Sequence, residues 1–283
     1  PWGPPREWGD VDDARCACWL EQNGLSTTPQ LVRQAVSIVA ANRVVHPVQQ
    51  YLESLAWDGI PRLAGMLATY FCAMDTRYTQ LVATWWMISA VARAMRPGCK
   101  VDHALILEGV QAAKKSTALG VLAVHREWFV DSTLPLGDKS AYELIGGKWI
   151  VEFAELESWR KVDQRKLKAF ISSDCDTYRP PYGHYVQDHP RQCVFAGTTN
   201  ESQYLDDPTG ARRFWPVQCG SVDLDSLRAD RDQLWAEAAA RYRAGERWWP
   251  EGDEVRLCAD VQEDRQIGDD WYDVVAAWLL GAG

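Results

Sequence analysis

The sequence predicts an α/β fold with a parallel, three-layer core set between two helical regions. Three observations lead to this class. Short apolar segments of strand length alternate with helical patterns in the middle of the chain. The first and last parts have apolar residues at helical spacing. One short apolar segment ends in glycine and is followed by lysines and a helix start, which is typical of a phosphate-binding loop. We expect a helical region over 1–100, an α/β core over 101–220 and a helical region over 221–283.

Composition favours a globular protein with a large apolar core. The chain has 283 residues, of which 47% are hydrophobic and 24% charged, and its net charge is −9. Acidic chains are not typical nucleic-acid binders, so any DNA contact must be local, and the basic run 160–168 is one local exception. The most apolar stretch, 81–95, is interrupted by polar residues and is shorter than a bilayer span. We therefore expect a cytoplasmic protein without a membrane segment.

The start of the chain and its cysteines give two further expectations. The sequence begins with Pro1 rather than Met, so we expect it to be part of a longer protein. Its eight cysteines are scattered and match no zinc or CxxC spacing, which favours reduced thiols in the core.

Helix starts are visible in the N-terminal part. Thr28-Pro29 supplies a cap and a first-turn proline before an apolar pattern of helical period. Asp75-Thr76 predicts the start of a long helix that runs to Met95, where Pro97-Gly98 ends it. These signals predict helices ahead of the first strand.

The segment LILEGVQAAKKSTALGVL, at 105–122, carries the candidate loop. The usual pattern is G-x-x-x-x-G-K-[ST], whose backbone N–H groups and helix N-terminus bind phosphate. Here Lys114 occupies the second glycine position and Lys115-Ser116 follow. A residue other than glycine destabilises the loop by roughly 1–2 kcal/mol where the backbone needs a positive φ. Lys115 is the better phosphate lysine because Ser116 follows it; the alternative is an ordinary helix start with solvated lysines.

The segment WIVEFAEL predicts an apolar strand that ends in carboxylates, Glu152 and Glu155. One carboxylate would hold the water shell of Mg²⁺ and the other would polarise an attacking water. The alternative is an edge strand with unremarkable surface glutamates.

Two later strands end or begin with polar residues. VFAGTTN predicts a strand that delivers Asn200 to the carboxyl edge of the sheet, where ligands of open α/β sheets bind. Asn200 could orient a water there, or simply cap a turn. TGARRFWPV places Arg212 and Arg213 at the start of the next strand, which suits an arginine finger offered to a neighbouring subunit. The alternative is surface arginines, or arginines that stack on Phe214 or Trp215.

Between these strands, DTYRPPYGHYVQDHP predicts a β-hairpin with His184 near its tip. Its tyrosines and Arg179 could contact a nucleic-acid strand by stacking and charge. A purely structural hairpin is the alternative. The order of these pieces along alternating strands, rather than any one of them, points to an ATP-hydrolysing ring motor.

The sequence resembles a known protein family. The segments that carry the resemblance are WDGIPRL, RPGCKVDHALILEGVQAAKKSTAL, GGKWIVEFAEL, KAFISSDCDTYRPPYG and PRQCVFAGTTNESQYLDDPTGARRFWPV. They resemble the virulence-associated protein E family, P-loop ATPases of phages, prophages and genomic islands. These are similar to superfamily-three helicases and often follow a primase domain. The resemblance extends from about Pro47 to Tyr242.

The resemblance implies a P-loop NTPase core of the ASCE/AAA+-like kind in a bacterial host. It implies a hexameric ring that hydrolyses ATP with Mg²⁺ between subunits, acts on single-stranded DNA and has a primase domain or partner upstream. The implied nucleotide-binding residues are Gly109, Gln111, Lys114, Lys115, Ser116 and Thr117, with Mg²⁺ held by Ser116 and, through water, Glu152. The implied catalytic residues are Glu152, Glu155, Asn200, Arg212 and Arg213, and Arg179 or His184 would face DNA.

One departure from the family concerns the loop. Family members resemble G-x-Q-G-x-G-K-S-T, whereas Ala112 and Lys114 replace two of these glycines. The sequence therefore predicts an ATP-dependent DNA helicase or translocase. Two alternatives stay open: an ATP-binding, hydrolysis-poor DNA-binding or assembly module, and a small-molecule kinase on a P-loop scaffold.

Overall fold

The computed structural model describes residues 8–132, 134–154, 164–179, 185–205, 211–267 and Trp278. The chain divides into two compact units, Pro1–Pro47 and Val48–Gly283. This division differs from the predicted boundaries at 100 and 220, because the helices that precede the first strand pack in the same unit as the sheet.

The first unit contains two helices, α1 (Asp10–Gln22) and α2 (Pro29–Ala41). The Thr28 hydroxyl accepts a hydrogen bond from the Leu31 N–H at 3.3 Å, so the predicted cap at Thr28-Pro29 is confirmed. Between the helices, Arg33 Nε lies 2.7 Å from Asp13 Oδ2.

The second unit contains the sheet and the remaining helices. The long helix that we predicted between Asp75 and Met95 is confirmed, and the Thr76 hydroxyl caps it by accepting from the Thr79 N–H. In chain order the elements are α3 (Pro47–Ser54), α4 (Met66–Phe71), α5 (Arg77–Met95), β1 (Ala104–Glu108), α6 (Lys115–Leu122), a 3-10 turn (Arg126–Trp128), β2 (Phe129–Val130), α7 (Lys139–Ile145), β3 (Ile150–Phe153), α8 (Gln164–Ser172), β4 (Cys175–Tyr178), β5 (Gln187–Pro190), β6 (Val194–Thr199), β7 (Phe214–Gln218), α9 (Leu224–Arg243) and α10 (Asp253–Glu263).

The central sheet is parallel throughout, with the strand order β2-β3-β6-β1-β7. Alternate residues of each strand face opposite sides. Leu105 and Leu107 of β1 join a core built with α5, α6 and α9, whereas Ala104 and Ile106 join a second core built with α7 and α8. Two apolar cores on opposite faces of one sheet make the three layers that the sequence predicts.

Buried tryptophans link the long helix α5 to the sheet through hydrogen bonds. The Trp86 indole N–H donates to the Phe195 carbonyl at 2.8 Å, and the Trp149 indole N–H donates to the Ala90 carbonyl at 2.9 Å. The Trp149 ring centroid also lies 4.2 Å from that of Trp235 on α9. These rings fill the core and satisfy their polar atoms at the same time.

The structure adds one strand to the four that the sequence predicts for the central sheet. β2 has only two residues, too few for an apolar pattern to reveal it. The predicted hairpin is confirmed: β4 and β5 pair antiparallel, apart from the central sheet.

The cysteines and the helices bear on two further expectations. All eight cysteines are free, and Cys99, Cys193, Cys219 and Cys258 are buried as expected, but Cys18 and Cys72 are exposed. In the described part of the chain, no helix is both long and apolar enough to cross a bilayer.

We predict that Trp86→Ala lowers the free energy of unfolding by about 3–5 kcal/mol, because it opens a cavity in the main core. Trp86→Phe should cost about 1–3 kcal/mol, because it leaves the Phe195 carbonyl without its donor. Urea denaturation measures both. Trp57→Ala is the control, since this ring is 38% exposed; an equal loss in Trp57→Ala and Trp86→Ala would contradict the packing described.

Candidate functional site: the carboxyl edge of the central sheet

The candidate site lies where β1, β3 and β6 end. These neighbouring strands are parallel, so their carboxyl ends meet at one edge of the sheet. Ligands of open α/β sheets bind at this edge. The loop 109–114 follows β1 there and leads directly into α6.

The loop has the backbone conformation of a glycine-containing loop although two of the glycines are absent. Ala112 has φ 66° and Lys114 has φ 63°, both left-handed. These are the two positions where the resembling loops carry glycine. Gly109 has φ 152°, and a Cβ there would lie 2.6 Å from the Cys219 carbonyl oxygen. The loop therefore keeps its shape at a cost of about 1–2 kcal/mol for each left-handed non-glycine residue.

The two adjacent lysines have different surroundings. Lys115 is buried, and its Nζ lies 2.7 Å from the Gly109 carbonyl, 3.0 Å from that of Val110 and 3.2 Å from Asn200 Oδ1. The ammonium is thus held inside the curve of the loop. Lys114 is exposed at the cap of α6. Among the predicted loop residues, Gln111, Ser116 and Thr117 are also exposed.

Glu152 on β3 is the buried acid of the site. Its Oε1 accepts hydrogen bonds from the Ser116 hydroxyl at 2.6 Å and the Thr198 hydroxyl at 2.7 Å. Its Oε2 is buried and has no hydrogen-bond partner among the described residues. Burial raises the pKa of Glu152, and the bonds from Ser116 and Thr198 oppose that rise.

These oxygens fit a magnesium ion. Mg²⁺ in nucleotide sites takes one or two carboxylates, waters and substrate phosphates. A buried carboxylate oxygen without a partner, next to the hydroxyl that opens α6, is such a donor set. The site therefore supplies a cation, an acid and a hydroxyl at one helix N-terminus.

The other predicted site residues lie in three places. Asn200 follows β6 at this same edge, in contact with Lys115. Glu155 and His184 lie outside the described residues. Arg212 and Arg213 precede β7 and lie at the opposite edge, because β7 runs parallel to β1. Five residues of strand, about 17 Å, separate them from the loop.

The hairpin also lies beyond the amino end of β6. Tyr178 stacks on His189 with ring centroids 4.3 Å apart, and Arg191 pairs with the buried Asp176 of β4. Arg179 is exposed just after β4. The structure thus divides the predicted residues between a loop edge and an arginine-and-hairpin edge.

Three contacts of the loop edge were not predicted from the sequence. Thr198, the second donor to Glu152, stands in the strand-end run GTTN, which could have indicated it. The ion pair between Glu108 and Arg265, with Nε to Oε1 at 3.0 Å, joins the end of β1 to a residue beyond α10. Tyr204 donates to the same carboxylate at 2.8 Å. No local pattern indicates a pair 157 positions apart.

A family model described as the virulence-associated protein E-like domain matches residues 52–267. The chain belongs to this family. Among curated proteins, no sequence matches it.

Solved structures of the NrS-1 C-terminal region are similar to the chain. An A-form apo structure is 14% identical with a TM-score of 0.50, and the match covers 81% of this chain and 53% of that one. An apo structure of residues 305–718 is 16% identical with a TM-score of 0.49, and covers 80% and 56%. The chain spans about half the length of these relatives, and the first likeness concerns the fold alone.

We predict that Ala112→Gly stabilises the apo protein by about 0.5–1 kcal/mol, since relief of left-handed strain exceeds the added entropy of the unfolded chain. Ala113→Gly is the matched control. Ala113 has no positive φ, so the same substitution there should destabilise by a similar amount. Chemical denaturation measures both, and equal destabilisation by the two variants would contradict the loop geometry.

We predict that Glu152→Gln raises the free energy of unfolding of the apo protein at pH 7 by about 1 kcal/mol. The folded pKa of Glu152 is raised, so its favourable contribution is present at low pH and is lost as pH rises through the folded pKa. The advantage of the variant should therefore disappear in acid, where the wild-type carboxyl is protonated. Denaturation across pH measures this, with the exposed Glu127→Gln as control. A variant that is less stable at pH 7 would contradict the prediction.

Proposed function

We propose that the chain is the ATP-hydrolysing motor of a phage or mobile-element replication system, a helicase or translocase that acts on single-stranded DNA. The observation that carries this proposal is the convergence of Lys115, Ser116 and Glu152 at one helix N-terminus. An ordinary helix start, the alternative for this segment, needs neither a buried lysine nor a bond to a buried acid. The family resemblance supports a primase domain or partner upstream.

The strand order supports a P-loop NTPase core of the ASCE type. β6 lies between β1, which bears the loop, and β3, which bears the acid. This arrangement brings Asn200, at the end of β6, between the loop lysine and the acidic strand. A water-orienting residue is needed at that point in hydrolysis of a nucleoside triphosphate.

In the proposed reaction, Lys115 exchanges its loop carbonyl acceptors for the β- and γ-phosphate oxygens of ATP. Ser116 and, through water, Glu152 would hold Mg²⁺, which neutralises charge on the phosphates when bound. Asn200 orients a water whose oxygen attacks the γ-phosphorus as the bond to the bridging oxygen breaks. The proton of that water passes to a carboxylate, for which the resemblance offers Glu152 and Glu155.

The position of the arginines supports a ring. At about 17 Å along the strand, neither arginine can reach the phosphate on its own loop. Arg212 is exposed and forms no ion pair with another described residue. Arg213 is half-buried, and its Nε donates to the Ser172 hydroxyl at 2.8 Å. We infer that Arg212 contacts the nucleotide of a neighbouring subunit, whereas Arg213 stabilises the fold through Ser172.

The same edge suits contact with DNA. Ser172, the partner of Arg213, ends α8 just before the hairpin strand β4. If Arg212 and Arg213 move when a neighbour's nucleotide binds, the movement would pass through Ser172 to the hairpin, which begins a few residues later. Arg179, exposed on this hairpin, is the described residue that we propose faces the strand.

The proposal predicts complementation between two inactive variants. Lys115→Ala loses its own phosphate site, and Arg212→Ala should lose about 10³-fold or more in turnover because the neighbour's phosphate lacks its arginine. A mixture contains interfaces in which an intact loop meets an intact Arg212, so turnover should partly return. The measurement is the rate of ATP hydrolysis by each variant and by the mixture, with and without single-stranded DNA. Arg228→Ala is the control, since this exposed arginine lies on α9.

The absence of recovery on mixing, with both variants folded, would contradict the ring. Bound ATP without turnover in the wild-type chain, even with DNA, would favour the assembly-module alternative.

A further inference from the structure

A cavity of about 490 Å³ opens at the amino edge of the sheet, away from the phosphate loop. Three segments form its walls: the connection between α5 and β1, the start of β7, and the chain from Trp248 into α10. All of its lining residues belong to the second unit. Its volume lies within the range of small-molecule sites, about 300–1,000 Å³. The described residues of one subunit are thus enough to form the cavity.

The walls concentrate positive charge in an acidic chain. Arg96, Lys100, Arg212 and Arg213 line the cavity, with Asp102 as the lining carboxylate. Asp102 already lies 3.6 Å from Lys100 and 3.5 Å from His103. Arg96 lies over the Trp248 ring at 5.8 Å and forms no ion pair with any described residue. A guanidinium and an ammonium that line one cavity, Arg96 and Lys100, are suited to phosphate.

The walls also present fixed aromatic faces. Trp249 is 40% exposed, and its indole N–H donates to Glu251 at 2.9 Å, which holds the ring in place. Trp248 lies beneath it in an edge-to-face arrangement, 5.1 Å between centroids. Its N–H donates to the Lys100 carbonyl at 3.0 Å. An exposed indole held by hydrogen bonds offers a stacking surface for a planar base.

We propose that this cavity is a second binding site, distinct from the loop, that takes a nucleoside phosphate. Arg96 and Lys100 contact the phosphate and Trp249 stacks on the base. The ligand can be a free nucleotide or the phosphorylated end of a nucleic-acid strand, which share this chemistry. Because the walls join three segments, the ligand also clamps α10 to the start of β7.

The experiment counts bound ADP by equilibrium dialysis in a Lys115→Ala background, in which the loop site is disabled. We expect about one ADP per chain to remain bound. Adding Lys100→Glu should weaken this binding more than tenfold, because one charge-assisted contact becomes a repulsion. Lys100 is 84% exposed, so the loss of its ion pair with Asp102 should cost little stability. Arg228→Glu makes a comparable charge change on the exposed face of α9 and should leave binding unchanged.

Two results would overturn the inference: no ADP bound in Lys115→Ala, or binding that Lys100→Glu leaves unchanged. Displacement of ADP by a 5′-phosphorylated oligonucleotide, but not by its unphosphorylated form, would assign the site to strand ends. A lack of displacement would assign it to free nucleotides. Failure of the proposed function gives a different result. In that case the wild-type chain and Lys115→Ala would bind the same amount of nucleotide.

Discussion

The rest of the site depends on one buried carboxylate. Glu152 is fully buried on a central strand, and a single one of its oxygens accepts the hydroxyls of Ser116 and Thr198. These bonds join the start of α6, the strand β3 and the strand β6. A buried carboxylate with incomplete hydrogen bonding is costly, and the second oxygen of Glu152 has no hydrogen-bond partner among the described residues. Buried ionisable groups with incomplete hydrogen bonding are typical of functional sites, where a bound ligand can contact the free oxygen.

The backbone of the loop 109–114 is also held in an unfavourable conformation. Ala112 and Lys114 hold left-handed conformations that glycine would adopt without strain. The geometry therefore comes from the surroundings, since β1 enters the loop and α6 leaves it in fixed positions. Lys115 adds to this by bonding two loop carbonyls with its ammonium. Binding of a phosphate at this point would replace internal acceptors rather than create a new shape.

The sequence predicts local features well and long-range contacts poorly. The cap at Thr76, the strand that ends at Glu108 and the hairpin all follow from patterns within about ten residues. The choice of Lys115 over Lys114 as the phosphate lysine stays a prediction from the neighbouring serine; in the structure Lys115 is buried and Lys114 is exposed. The cavity at the amino edge, however, joins Lys100 to Trp249 across the fold. No local pattern encodes such proximity, because it arises from how α10 packs on β7.

Steady-state ATP turnover, with and without single-stranded DNA, tests the central claim most directly when Lys115→Ala and Lys114→Ala are compared. Both variants lose one lysine from the same loop, but only Lys115 is buried within it. Our account predicts DNA-stimulated turnover that Lys115→Ala abolishes and that Lys114→Ala reduces less than tenfold. Equal loss in both variants, or turnover that survives Lys115→Ala, would contradict it.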